Sequence, residues 1–492
     1  MIQQLPENAN LEHLKGQAKT LLQSLRSGDL PALDRIGDLP ARPPYRLADA
    51  QLVIAREYGF TSWAQLKRHL IGYTDRRDAL FAAIRAGDRD RVLVLLDQYP
   101  ALVRSRDPHS FGSTVLNEAA RRDDQQMIDL LLDHGADIEA RSDWSLGSFG
   151  PLDFADDRTT THLLSRGAKL TAHAAARLGW AEELRKIISS DPEVVRERGG
   201  DGQYPLHFAK TPEIVDILLD AGADIDARDL DHEGTPLQNR IKNEPVARRL
   251  WERGATPDVF SAAVLGEVSV LEHLLDEDPA AISRRTSEPG NPWIPSAPGR
   301  HIYLYEIGAV QLHQVASHFE QKAVYELLWE RSNPALRLTM AAWRGDRDAA
   351  LQVVEDNPGL IATLSEDDMQ MLPDAAWNRQ IDTVKLLLEV GFDVNTVNSE
   401  KMGAAHNGAF HGFDDVVEAI LAYQPDLTLR NAYGGNPIGT CIYGSMNDWR
   451  KDGNHARCVE LLLEAGSPLP DRFAGTPEVK AVLEQHGMRN DP

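Results

Sequence analysis

Leu372, Ala405 and Ile438 stand 33 residues apart at each step, at equivalent places in a pattern that recurs from about Asp78 to the end of the chain. Each copy reads as a short inner helix with paired small residues, a Gly or polar turn, an outer helix rich in Leu and Val, then "GAD" and a polar finger. "TVLNEAARRDDQQMIDLLLDHGADIEARS", "YPLHFAKTPEIVDILLDAGADIDARDLDHEGT" and "DAAWNRQIDTVKLLLEVGFDVNTVNS" are the clearest. One such helix pair cannot bury both of its faces, so it must stack on a neighbour. A chain of 492 residues is too long for one ordinary core. The period points to one continuous array rather than separate domains.

The period, together with the "TPLHxAA" and "LLLxxGAD" patterns, resembles the ankyrin-repeat family over about 400 of the 492 residues. The resemblance implies an all-α fold, an α-solenoid of about eleven helix pairs, and a role in recognition. Leu206 and Ala209 are expected between neighbouring pairs, and Gly222 at a helix end that needs a left-handed residue.

The array is expected over residues 78–475, with a helical cap at 1–77 and a closing cap at 476–492. In the first segment Leu11, Leu14, Ala18, Leu21, Leu22 and Leu25 form one helical stripe. Two short helices broken at Gly59 should follow, with Phe60 and Trp63 as packing anchors. This segment is similar to the leader found ahead of ankyrin arrays in many bacterial proteins, which implies a bacterial source. "PLDFADDRTTTHLLSRGAKL" and "PLQNRIKNEPVARRLWERGATP" are shortened copies that predict tighter turns. Two stretches exceed the period: 286–310, with Trp293, Tyr303 and Tyr305, and "GSMNDWRKDGNHAR" in the last full copy. Long turns in a compact array tend to serve function.

Formal charge is −23, yet residues 1–77 carry eleven Lys and Arg against eight Asp and Glu. The acidic remainder repels phosphate backbones, which disfavours nucleic acid and favours a neutral or basic partner. No apolar run approaches the roughly 20 residues of a membrane span, and the first residues lack a signal-peptide pattern. A cytoplasmic protein is expected. Cys441 and Cys458 cannot form a disulfide framework and read as small core residues.

Trp343, Trp377, Phe410 and Tyr443 follow the paired small residues at steps of 34, 33 and 33. Stacked repeats would turn them into a ladder. Beside it run Arg344, Asn378 and His411, and the long turns contribute Trp449 and Tyr305. In the ankyrin family this position borders the concave groove that binds partners. The expected function is therefore recognition of a protein or small-molecule ligand in an aromatic-lined groove of the C-terminal half.

The alternative is an enzyme acting on a carbohydrate or apolar small molecule. Residues 286–310 and 445–455 would roof the groove, with His411 and an acid such as Asp374, Asp414 or Asp448 moving protons. His406 and His313 stand at the family's "TPLH" histidine, which bonds backbone. Asp414 and Asp415 suit the first turn of an outer helix. No metal site or cofactor is expected: His406 and His411, like His313 and His318, are spaced five apart, and no Cys pair accompanies them. "GGNPIGTCIYGS" is similar to the "YGGTPLGWAIHGS" pattern of a bacterial ankyrin subfamily. The match runs through Tyr433, Gly434, Gly435, Pro437, Gly439, Ile442, Gly444 and Ser445; the departures are Cys441 and Tyr443.

Overall fold

Leu14, Ala18, Leu21 and Leu25 lie on one face of the helix Leu11–Arg26, and all four are buried. They pack on Val53 and Ile54 of the helix Leu47–Glu57 and on Leu66 and Leu70 of the helix Trp63–Ala86. Gly59 takes a left-handed φ of 80° between the last two, and Phe60 and Trp63 pack on the same cluster. The helix Trp63–Ala86 runs through residue 77 and supplies Leu80, Phe81 and Ile84 to the next core. The computed structural model describes residues 11–36, 43–287, 301–308, 310–450, 452–470 and 472–488. Trp293 lies outside them.

Contacts divide the chain into two units, Met1–Pro257 with Ser287–Gly308, and Asp258–Thr286 with Ala309–Pro492. Each is a stack of inner and outer helices, and the fold is an all-α solenoid of ankyrin-type repeats. Strand is confined, among the described residues, to the finger pair Arg106–Asp107 and Ser113–Thr114. No described helix is long and apolar enough to cross a membrane.

In the first unit full pairs such as Val115–Arg121 with Gln125–Asp133 stand among reduced ones. The two shortened copies keep only one turn of inner helix, Pro151–Asp153 and Pro236–Asn239, each opened by a proline whose missing N–H costs nothing there. Outer helices are clasped from behind. Arg166 reaches Asp129 and, at 2.7 Å, Asp133; Arg253 reaches Asp216 at 2.5 Å and Asp220 at 2.7 Å. In the second unit Arg331 reaches Glu272 at 2.9 Å and Asp276 at 2.5 Å. Each arginine ends its own helix and spans two carboxylates one turn apart on the preceding one.

The "TPLH" histidines depend on the following finger. His207 Nε2 lies 3.1 Å from the Gly234 carbonyl, and His406 Nε2 lies 3.1 Å from that of Leu429. His313 was expected to bond backbone in the same way, and it does not. It is buried, and neither ring nitrogen has a hydrogen-bond partner. The outer helix Lys322–Arg331 is followed by only Ser332 and Asn333 before the helix Pro334–Trp343 begins, so no finger offers a carbonyl. Cys441 and Cys458 are both buried in the core of the last full repeat.

Candidate functional site

The inner helices Met371–Trp377, Ala404–Phe410 and Pro437–Asn447 stand side by side in the second unit. Small or slender pairs fill the space between helices: Ala375 and Ala376, Gly408 and Ala409, Cys441 and Ile442 are all buried. The next residue in each helix has no core left to enter. Trp377 and Phe410 are half-buried, and Tyr443 is 58% exposed.

Their rings form a row. Trp377 stacks on Phe410 with centroids 5.6 Å apart and planes 16° apart, and Phe410 lies 6.3 Å from Tyr443. Trp449, 64% exposed, leans over both, at 6.0 Å from Trp377 and 6.1 Å from Phe410. Among the described residues no ring contact joins Trp343 to the row. Its neighbour Arg344 instead places its guanidinium 4.5 Å from the Tyr325 ring centre. Asn378 is exposed, and its amide nitrogen donates to the Asp374 carbonyl at 2.9 Å. Tyr305 belongs to the first unit, where its ring lies 4.7 Å from that of His232.

His411 ends the inner helix and is fully buried. Its Nδ1 is 3.0 Å from Asp448 Oδ2. A carboxylate only accepts, so the proton sits on Nδ1 and Nε2 carries the lone pair. Nε2 is buried with no hydrogen-bond partner. Rings wall it: Trp377 at 4.2 Å, Phe410 at 4.9 Å and Trp449 at 5.4 Å all meet the imidazole edge to face, and Phe413 lies 5.2 Å away. Burial holds the imidazole below its ordinary pKa, against the opposing pull of Asp448. The ring is neutral at pH 7.

The carboxylate at His411 is thus Asp448; Asp374 is exposed on its inner helix, and Asp414 opens the outer helix Asp414–Leu421 beside Asp415. Asp448 arrives on the long turn of the last full repeat, which folds back over the two preceding inner helices. Arg450 donates to the Trp377 carbonyl at 3.2 Å, the Asn454 amide to that of Gly412 at 2.7 Å, and His455 Nε2 lies 2.9 Å from that of Phe410. The Trp377 and Phe410 carbonyls end their helices and have no partners inside them, and Gly412 lies in the turn that follows. Arg379 ties the turn from the side, pairing with Asp415 and Asp452 at 3.2 Å each. Two glycines allow the approach: a Cβ on Gly444 would stand 1.9 Å from the Phe410 oxygen, and one on Gly453 1.9 Å from that of His411. The extra length of the turn signals its importance in the sequence, but nothing local names Asp448 as the partner of His411.

Comparison with known proteins bears on the repeats. A family model described as the ankyrin repeat matches residues 111–143 and 201–230. These two stretches are ankyrin repeats. An ankyrin repeat domain-containing protein, SAT10, from Stachybotrys chartarum is 28% identical over 273 residues, which is 51% of this chain and 14% of that protein. The chain therefore matches about a seventh of that relative's length. Among solved structures, one chain of the complex of the predatory endopeptidase Bd0816 from Bdellovibrio bacteriovorus with immunity protein Bd3460 shows 20% identity. That match covers 36% of this chain and 97% of the matched one, at a TM-score of 0.26.

Proposed function

We propose that the chain is a recognition protein whose second unit binds a protein partner on the aromatic surface formed by Trp377, Phe410, Tyr443 and Trp449. The observation that carries this reading is a continuous row of rings left outside a filled core, with Tyr443 58%, Met446 53% and Trp449 64% exposed. Aromatic and methionine side chains of this kind supply most of the energy at protein interfaces. Ankyrin repeats serve protein interaction, which favours a macromolecular partner over a metabolite.

The enzyme alternative requires His411 to face a substrate. A carboxylate does lie within reach of its ring, but among the described residues no second acid or base bonds Nε2. Binding is the reading this geometry favours.

Selection from a displayed random-peptide library, repeated with Trp377→Ala and Tyr443→Ala, tests the proposal. Binders to the parent should lose at least tenfold in affinity to both variants. Binders unaffected by either change would place recognition elsewhere.

A further inference from the structure

The imidazole beneath the rings differs from the other buried histidines of the second unit. His406 spends both nitrogens on backbone, and His313 has no oriented partner at all. His411 is oriented by a carboxylate and left with one lone pair unmet. A buried acceptor without a donor is destabilising, and that cost is recovered when a donor arrives. Because four aromatic rings surround the imidazole and a strongly hydrated group would have to shed its water, a neutral, weakly hydrated donor suits the site best. It must also be carried on a flat apolar body that can lie among those rings.

Access is a question of one side chain. Trp449, 64% exposed, is the most exposed of the rings around His411. The backbone on either side is fixed separately: Asp448 by His411, and Arg450 by its side-chain bond to the Trp377 carbonyl and its amide bond to Asp448 Oδ1 at 3.0 Å. A rotation of the Trp449 side chain would therefore open this side of the imidazole and leave those bonds in place.

We infer that the partner on this surface inserts a tyrosine, whose ring takes the place of Trp449 against Trp377 and Phe410 while its phenolic O–H donates to His411 Nε2. This rests on the binding role proposed above and names the group recognised. Tyrosine fits because it joins a flat apolar ring to one neutral donor at its far end. Phenylalanine would fill the same space and leave the acceptor unmet.

The test uses the full chain and its Trp449→Ala variant, titrated with two pairs of probes: N-acetyl-Ala-Tyr-Ala-amide against its Phe counterpart, and 4-methylphenol against toluene. The tyrosine peptide is expected to bind about tenfold or more tightly than the phenylalanine peptide, and more tightly to Trp449→Ala than to the parent. The nitrogen resonance of His411 Nε2, assigned by its loss in His411→Gln, should move with the tyrosine peptide alone. Equal affinity within the pair, or binding that leaves that resonance in place, overturns the inference. Binding of 4-methylphenol without the peptide assigns the site to a free phenol and overturns the protein source. If the displayed-peptide selection yields tyrosine-free binders that still need Trp377, the binding role stands and the tyrosine assignment falls. If it yields no binders that need Trp377, the binding role itself fails.

Discussion

His411 and Asp448 are 37 residues apart in sequence and share a hydrogen bond of 3.0 Å, with side chains 0% and 2% exposed. The bond joins the end of one inner helix to the turn that leaves the next. Everything distinctive about the aromatic surface hangs on that turn being where it is.

Asp448→Ala leaves the His411 Nδ1–H without its acceptor and the Arg450 amide without its bond to Oδ1. A loss of about 2–3 kcal/mol is expected, measured by urea unfolding. Trp449 fluorescence should shift to the red as its turn loosens.

Gly444 lies inside the helix Pro437–Asn447, where alanine ordinarily gains about 0.5–1 kcal/mol. Here the added methyl meets the Phe410 carbonyl, so Gly444→Ala should destabilise by about 1–3 kcal/mol instead. Chemical denaturation gives the sign directly. A gain in stability would mean that the two inner helices are not held as closely as described.

His313→Leu and His406→Leu should differ in outcome. The first removes two unmet polar atoms and is expected to be neutral or slightly stabilising. The second orphans the Leu429 carbonyl and the Gly403 amide, at about 1–3 kcal/mol. Paired melting curves decide it.

Stability should fall on acidification from about pH 6.5. His207 and His313 are driven down to about 3 by burial, His301 to about 4, and His406 and His411 in the same direction. For a histidine whose folded pKa lies below the unfolded one, the unfolded chain binds the proton first. Stability is then complete above about pH 6.5 and is lost as pH falls toward 3 to 4. Asp201 opposes this. Burial raises its carboxyl to about 6, with help from Asp231, so its own contribution improves as pH drops through that value. Asp229 and Asp374, also raised by burial, act in the same sense as Asp201, and His173 is lowered like the other five histidines. Six histidines outweigh three aspartates, and the urea midpoint should decline between pH 7 and pH 4.5.

The helical array was legible because periodicity is a property of the whole sequence. Leu14, Ala18, Leu21 and Leu25 announced their helix face, and Trp377, Phe410 and Tyr443 announced a row by recurring after core residues. Trp343 obeys the same spacing, yet no ring contact brings it into that row. Contact between rings depends on side-chain direction, which spacing does not encode. His411 reads in the sequence as a groove-side neighbour of Phe410. It is buried by a turn from the next repeat, and a contact across 37 residues leaves no local mark. His313 failed for the complementary reason: the signature residue is present, but the finger that would serve it is missing from the following copy.

Arg166, Arg253 and Arg331 hold only the outer edges of their stacks, through charges that solvent reaches, while the inner edges rest on buried alanines and leucines. Salt weakens the first kind of contact and leaves the second almost untouched. Raising ionic strength should therefore let neighbouring pairs within each unit splay at the outside and pivot on the inside, as pages fan from a spine. The curvature of each stack would then follow the saltiness of its surroundings without any repeat unfolding.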